Sequence, residues 1–508
     1  MKILLLEHPR IFSDEHYHDV ANAPLSACLT VGYTAAMLKK NGHAVDIYDA
    51  YDLHAGFKAC QEALLQRDFD MLGIHAVYFW EHTKQLFTML EKFSNLRPQV
   101  KIVFFGIFPT FAFDRILEQY PCIQAVILGE PEITFTELAQ AYENSPARLN
   151  TIAGIAFRDN KQIRTTAARN PAENLDGLPF PVRYKDSLNR IGGSILGSRG
   201  CHGNCSFCCI NSFYGAGPAR RCRSAANICQ EVEGLLPGLD KKYLYFLDAD
   251  FFGPGSPDDR SRVMHIVESL QQLNVEFGFE CRAGSFDEKL LAAMVKAGLK
   301  DVFLGIESAS AATLKRMRKG ISPAKSAASV QLLQSCGIEP NLGFIMFESD
   351  SELTDVRDNF TFLKDNNLLR KLEVTANVLY HREIALKGMH NFARLAASGR
   401  LAGTDAFGYE GQYGFIDPSV QFLADFMSCV CRRVLRATDN ARSPICWKRG
   451  ASAASQRVND YSINLFAETL RRLELKNIPL DCDGLLRIED DALCAIEGLI
   501  VEERVCQS

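Results

Sequence analysis

Ser194-Ile195-Leu196-Gly197-Ser198-Arg199-Gly200-Cys201-His202-Gly203-Asn204-Cys205-Ser206-Phe207-Cys208 is a short apolar strand that runs directly into a glycine-rich, polar loop carrying three cysteines. Three thiolates on one tight loop can hold three irons of a cubane [4Fe–4S] cluster, and the fourth iron is then open to a substrate or cofactor. Gly200 and Gly203 allow the backbone to wrap closely around such a cluster. Two blander readings compete with this one. Three buried cysteines would fit a strand interior, but this loop is polar. A zinc site using the following Cys209 is a poor match, because adjacent cysteines suit a tetrahedral knuckle badly and no second paired-cysteine knuckle follows. Cys201, Cys205 and Cys208 are therefore the metal-ligand candidates, and Cys209 reads as a packed neighbour.

The strand before this loop opens an alternating series. Ser194–Leu196, Tyr243–Leu247, Glu276–Cys281, Val302–Leu304, Leu342–Phe347 and Val374–Leu379 read as strands, separated by helical stretches such as Ala225–Leu236 and Lys289–Ala297. Six βα units over residues 191–389 predict a partial (β/α)6 barrel, since right-handed crossovers curl such units into an arc. A second alternating series lies upstream, in residues 1–150. Its strands are Ile3–Leu6, Val45–Tyr48, Met71–Ile74, Ile102–Phe105 and Ala125–Leu128. Its helices run from near Ser26 to Lys40, from Phe87 to Leu96 and from Thr134 to Tyr142. Continuous apolar strands alternating with helices predict a doubly wound, Rossmann-like α/β domain, with a ligand crevice at the carboxyl ends of its strands. Residues 151–190, punctuated by Pro171, Pro179 and Pro181, read as a linker with room for a small hairpin over Thr151–Arg164. Residues 390–508 read as mostly helical, with amphipathic stretches at Val420–Arg436 and Asn459–Leu473 and no strand series. Such a segment is expected to cap the barrel mouth.

Composition narrows the classes further. A chain of 508 residues exceeds what one core supports, so two or three domains are expected. A net charge of −5 offers no basic face for nucleic acid. No stretch reaches the roughly 18 apolar residues of a membrane span, and the apolar run after Met1 is too short for a secretion signal. Seventeen cysteines, an odd number scattered through the chain, argue against a disulfide framework and for the reducing cytosol.

The spacing Cys201-x3-Cys205-x-Phe207-Cys208 after the first barrel strand resembles the signature of radical S-adenosylmethionine (SAM) enzymes, and the likeness extends over about Pro179 to Phe347. The resemblance implies that the three cysteines ligate the cluster and that SAM chelates the open iron through its methionine amino and carboxylate groups. Reductive cleavage then gives methionine and a 5′-deoxyadenosyl radical. It implies that Phe207 packs near the adenine. The acidic strand end Tyr245-Phe246-Leu247-Asp248-Ala249-Asp250 would receive the methionine amino group, and Arg282 would pair with its carboxylate. Gly305 and Glu307, in Leu304-Gly305-Ile306-Glu307-Ser308, would bind the ribose or the methionine end. Each has an alternative: Asp248 and Asp250 as caps after a strand, Arg282 and Glu307 as members of ion pairs.

The first domain resembles the cobalamin-binding domain that precedes such barrels in one class of these enzymes. The matching pieces are Asn41-Gly42-His43, Leu72-Gly73-Ile74-His75, Gly106-Ile107-Phe108-Pro109-Thr110 and Gly129-Glu130-Pro131-Glu132. The resemblance implies a cobalamin site at His75, Gly106, Pro109, Thr110, Gly129 and Glu130. The Asp-x-His-x-x-Gly motif of cobalamin mutases is absent, because Asp52-Leu53-His54-Ala55-Gly56 has the wrong spacing. A lone histidine such as His75 also fits a satisfied hydrogen bonder. Taken together, the resemblance implies methylation of an unactivated carbon, or of phosphorus, in a small molecule or peptide, with flavodoxin or ferredoxin as electron donor. A non-methylating ring formation, ring contraction or oxidation is the alternative. No general acid or base is legible in the sequence.

Overall fold

The computed structural model describes residues 1–10, 29–77, 83–144, 146–160, 162–183, 192–215, 220–478 and 482–506. The first sheet has seven strands in the order β2-β1-β3-β4-β5-β6-β7. They are β1 (Lys2–Glu7), β2 (Ala44–Asp49), β3 (Met71–His75), β4 (Lys101–Phe105), β5 (Ala125–Ile127), β6 (Ile155–Asp159) and β7 (Gln162–Thr165). The first five are parallel. Their apolar runs are continuous because both faces are covered. Ile3, Leu5, Met71, Val103 and Phe105 pack under the helices Leu29–Lys40 and Pro131–Asn144. Leu4, Leu6, Leu72, Ile74 and Phe104 pack under Phe57–Leu65, Thr83–Leu96 and Ile107–Gln119. The strand order reverses between β1 and β3, and the register sets Glu7 beside His75 there. That is the topological switch point, where doubly wound sheets take their ligands.

The hairpin anticipated in the connecting stretch forms, but it is not a free linker. β6 pairs antiparallel with β5, and β7 with β6, so the hairpin completes the first sheet. The helix expected from near Ser26 is described from Leu29 onward; Ser26 lies outside the described residues.

The second sheet is fully parallel, in the order β14-β13-β12-β11-β8. Its strands are β8 (Gly193–Ile195), β11 (Tyr243–Phe246), β12 (Glu276–Arg282), β13 (Leu299–Glu307) and β14 (Asn341–Phe344), while β9 (Ser198–Arg199) and β10 (Arg221–Cys222) form a separate antiparallel ribbon. The sixth strand expected at Val374–Leu379 is instead a helix, Leu372–Tyr380. Its β-branched residues suggest a strand, yet Leu372, Thr375, Ala376 and Leu379 are buried at helical spacing in the second core. Tertiary packing on the C-terminal helices overrides local propensity. A single parallel bridge between Phe347 and Arg382 extends the arc in place of that strand.

The C-terminal region is helical over Pro418–Asp439, Ala453–Glu474 and Cys482–Cys506. It also holds a three-stranded antiparallel sheet that the sequence reading did not anticipate, made of β15 (Ala385–Leu386), β16 (Leu401–Thr404) and β17 (Glu410–Tyr413). Its strands are two to four residues long and carry Gly403 and Gly411, too little signal for a period-2 pattern. The turn between β16 and β17 packs back on the first domain. The Phe407 ring stacks on Phe87 at 5.0 Å, and Tyr409 meets Phe108 edge-on at 5.1 Å. Among the described residues, no helix is long and apolar enough to cross a membrane.

Candidate functional site

The cysteine loop lies at the carboxyl end of β8 and is held from three sides. The Asn211 side chain accepts from the Cys201 amide at 3.1 Å and donates to the Gly203 carbonyl at 2.5 Å. The Ser206 amide donates to the Met317 carbonyl, and the Ser206 carbonyl accepts from the Asn391 amide, both at 2.9 Å. Two donors already point at cysteine sulfurs: the Gly203 amide at Cys201 Sγ and Arg282 Nη1 at Cys205 Sγ, each 3.3 Å away. Hydrogen bonds to sulfur are among the levers by which a protein tunes an iron–sulfur cluster. Gly203 is required by close approach, because a Cβ there would lie 2.5 Å from Arg282 Nη1. Burial raises the thiols of Cys201 and Cys208. Without metal they stay protonated, and ligation to iron releases those protons.

The two acidic residues after β11 are both fully buried but differ in kind. Asp248 is committed to the fold: it accepts from the Gly197 amide at 2.8 Å and from the Ser198 hydroxyl. Neither oxygen of Asp250 receives a hydrogen bond among the described residues. The His202 ring nitrogen stands 3.0 Å from one of them, without hydrogen-bonding geometry. A buried carboxylate lacking donors is unfavourable on its own and fits a cationic donor such as the amino group of SAM. Cys201, His202 and Asp250 together form a tight group of donor atoms. His202 was missed in the sequence reading, although its position one residue after the first ligand was the available signal.

Arg282 and Gly305 are register partners on β12 and β13. Arg282 also donates to the Lys319 carbonyl. Glu307 ends β13 in a left-handed conformation, φ 66°, which is strained for a residue with a side chain and is a mark of functional sites. Its carboxylate pairs with Lys319 Nζ at 2.8 Å, and the pair is almost wholly buried. A Cβ on Gly305 would stand 2.9 Å from both members, so the glycine makes room for them. Lys319 also stands 6.0 Å from the centre of the Phe207 ring. The structure thus gathers Cys201, Cys205, Phe207, Asp250, Arg282, Gly305 and Glu307 around one strand edge. Lys319 joins them, although no sequence motif marked it. Glu280, two residues before Arg282 on the same face of β12, is pushed up to about 7 by burial. Phe277, Phe279 and Cys281, pointing into the core on the other face, were the signal for its direction.

On the first domain the candidate residues sit at the carboxyl edge. His75 Nδ1 lies 2.8 Å from Glu7 Oε1, and the ring leans on Phe105. The satisfied-histidine reading describes this contact. Gly106 (φ 115°) caps the helix Ile107–Gln119, and a Cβ there would meet the Ala76 carbonyl at 2.3 Å. Thr110 Oγ1 donates to the Gly106 carbonyl at 2.7 Å and accepts from the Gly129 amide at 3.1 Å, which locks two strand ends together. Pro109 is buried in that helix. Glu130 faces the barrel and is engaged by Arg199 at 2.8 Å and by Arg221. Helix N-termini and small residues at a switch point fit a large polar cofactor laid across the strand ends.

This pairing of a doubly wound domain with a three-cysteine parallel arc defines a class. Residues 29–139 match the B12 binding domain model and residues 195–358 the radical SAM superfamily model. The chain is a radical SAM enzyme with an N-terminal B12-binding domain, and its cofactors are a [4Fe–4S] cluster, SAM and cobalamin. An uncharacterized methyltransferase of Pyrococcus horikoshii is 28% identical over 372 residues, covering 72% of this chain and 78% of that protein. The anaerobic magnesium-protoporphyrin IX monomethyl ester cyclase of Rubrivivax gelatinosus is 26% identical over 357 residues, 66% of this chain and 62% of that one. The solved cobalamin-dependent radical enzyme OxsB with aqua-cobalamin bound superposes with a TM-score of 0.76 at 18% identity, covering 100% of this chain and 81% of that chain. That likeness is one of fold.

Proposed function

We propose that the chain is a methyltransferase that acts on an unactivated carbon, or on phosphorus, in a small molecule or peptide. The observation that carries this reading is the similarity to the Pyrococcus methyltransferase over 72% of a chain that holds both cofactor domains. Residues 1–165 form the cobalamin unit, 191–389 the radical arc and 390–508 its mostly helical cap. The reducing cytosol suits an open cluster, and flavodoxin or ferredoxin suits its reduction.

When bound, the cluster supplies the electron that cleaves SAM to the 5′-deoxyadenosyl radical, and cobalamin carries the methyl group. The chain's own residues prepare the site for both. Cys201, Cys205 and Cys208 ligate three irons. Asp250 receives the amino group of SAM, and Arg282 is placed to share its guanidinium between Cys205 and the SAM carboxylate. Glu307, fixed by Lys319, and Gly305 face the sugar end, with Phe207 beside the adenine. Gly106, Pro109, Thr110 and Gly129 shape the strand-end edge that would hold cobalamin, and Glu7 holds His75 at the same edge. Asp248 and Glu130 work indirectly, by fixing the strand ends.

The test is product analysis on anaerobically reconstituted protein given SAM and a strong reductant. The proposal expects S-adenosylhomocysteine alongside 5′-deoxyadenosine; 5′-deoxyadenosine alone contradicts it. The cyclase similarity favours the second reading, a non-methylating radical reaction such as ring formation, contraction or oxidation. That reading expects 5′-deoxyadenosine alone.

A further inference from the structure

The ribbon β9–β10 presents Arg199 and Arg221 as a cross-strand pair. Both reach out of the radical domain onto Glu130 and Glu132, which flank the start of the helix Pro131–Asn144 at the carboxyl end of β5. Arg199 forks onto Glu132, Nη2 to Oε1 at 2.5 Å and Nη1 to Oε2 at 3.2 Å, and Nη1 also donates to Glu130 Oε2 at 2.8 Å. Arg221 takes the other oxygen of Glu130 and donates to the Ala172 carbonyl at 2.6 Å. The Arg199 guanidinium lies 5.2 Å from the centre of the Tyr33 ring, which comes from a helix of the first domain. Arg199 and Glu132 are buried, at 5% and 3% exposure.

The opposite flank of the cluster loop touches the same corner. Cys209, directly after the third ligand, is buried in the hydrophobic core of the first domain. The Phe213 carbonyl lies 3.2 Å from where a side chain on Gly129 would begin. The loop is thus clamped two residues before Cys201 and one residue after Cys208. Arg199 on one flank and Phe213 on the other bear on Gly129–Glu132, which Thr110 ties to Gly106.

We infer that Arg199 is a positioning residue which, through Glu130 and Glu132, fixes the separation of the iron–sulfur cluster from cobalamin. Two neighbouring carboxylates, one buried and one half-buried, repel one another, and a planar guanidinium satisfies both in only one arrangement. A lysine supplies the charge without the fork. Precision matters here because a misplacement of about 1 Å can slow a reaction roughly 10²-fold. The inference rests on the two cofactors and is independent of methyl transfer.

Holoenzyme carrying both cofactors, reduced to the paramagnetic cluster and cob(II)alamin, reports their separation through pulsed EPR distance measurement. The parent protein is expected to give one narrow distance. Arg199→Gln is expected to broaden it about twofold or shift it by about 1 Å, with Arg199→Lys between the two. A parent-like distance in Arg199→Gln, even with lowered thermal stability, overturns the inference and leaves an ordinary ion pair. If Arg199→Gln fails to load iron, Glu132→Gln decides the matter, since it alters only the cobalamin side: a broadened distance supports the inference and an unchanged one overturns it.

Discussion

Replacing Asp250 by Asn separates binding from stability in a way that replacing Asp248 does not. The two carboxylates lie two residues apart and are equally buried, but only Asp248 has donors from the protein. Losing a charge-assisted hydrogen bond to the amino group of SAM removes about 1.5–3 kcal/mol. At about 1.4 kcal/mol per factor of ten, SAM affinity falls roughly 10- to 150-fold. The same substitution removes a buried carboxylate to which no described residue donates a hydrogen bond, so the stability of the SAM-free protein stays level or rises. Asp248→Asn has the opposite signature. It sets an amide where the Gly197 N–H and the Ser198 hydroxyl need an acceptor, and stability falls by about 1–3 kcal/mol. SAM affinity is read by anaerobic equilibrium dialysis without reductant, at matched iron content, and stability by urea unfolding. An Asp250→Asn protein that binds SAM within about twofold of the parent, or that loses as much stability as Asp248→Asn, refutes the reasoning.

Further outcomes follow from neighbouring contacts. Lys319→Met strands the Glu307 carboxylate, buried in a left-handed backbone, and should destabilise by about 3–5 kcal/mol in urea unfolding; Glu307→Gln in the same background should recover much of it. Gly106→Ala places a methyl group against the Ala76 carbonyl at φ 115°; cobalamin uptake, followed by absorbance, should drop with stability, whereas Gly42→Ala, which also has positive φ but open space around it, should spare uptake. Burial first, then the charge of Glu7, pushes Asp49 up to about 7. A carboxyl whose folded pKa is raised binds its proton more tightly in the native state, so its contribution to stability is lost as pH rises from about 4 to 7. Thermal melts of Asp49→Asn against the parent should therefore show a gain that grows between pH 5 and pH 7 and then levels off; a pH-independent difference contradicts this. Cys205→Ala should abolish 5′-deoxyadenosine formation while cobalamin remains bound.

Much of this architecture is readable from the sequence. Runs such as Met71–Ile74 and Ile102–Phe105 are buried on both sides and declare themselves as parallel strands. The cysteine spacing names its own loop. What escapes is contributed by tertiary context. Val374–Leu379 looks extended by composition and is helical because the C-terminal helices pack on its Leu372, Ala376 and Leu379 face. The sheet of β15, β16 and β17 is too short for any period to show. In the site, Asp248 and Asp250 are interchangeable by motif, and only the position of the Gly197 amide tells them apart. Glu130 carries a cobalamin-family motif, yet its oxygens are occupied by two arginines from a ribbon about 70 and 90 residues further along. Lys319 belongs to no motif, and His202, although inside the cysteine loop, is joined to Asp250 only when the chain is folded around them.

The most direct test of the central claim follows the methyl group. Reconstituted protein is reduced and given SAM bearing a deuterated methyl, and the cobalamin fraction is analysed by mass spectrometry. A methyltransferase predicts the deuterated methyl on cobalamin with matching S-adenosylhomocysteine, and Cys205→Ala retains this transfer while losing 5′-deoxyadenosine. Unlabelled cobalamin, in protein that still cleaves SAM to 5′-deoxyadenosine, contradicts the account and points to a non-methylating radical enzyme.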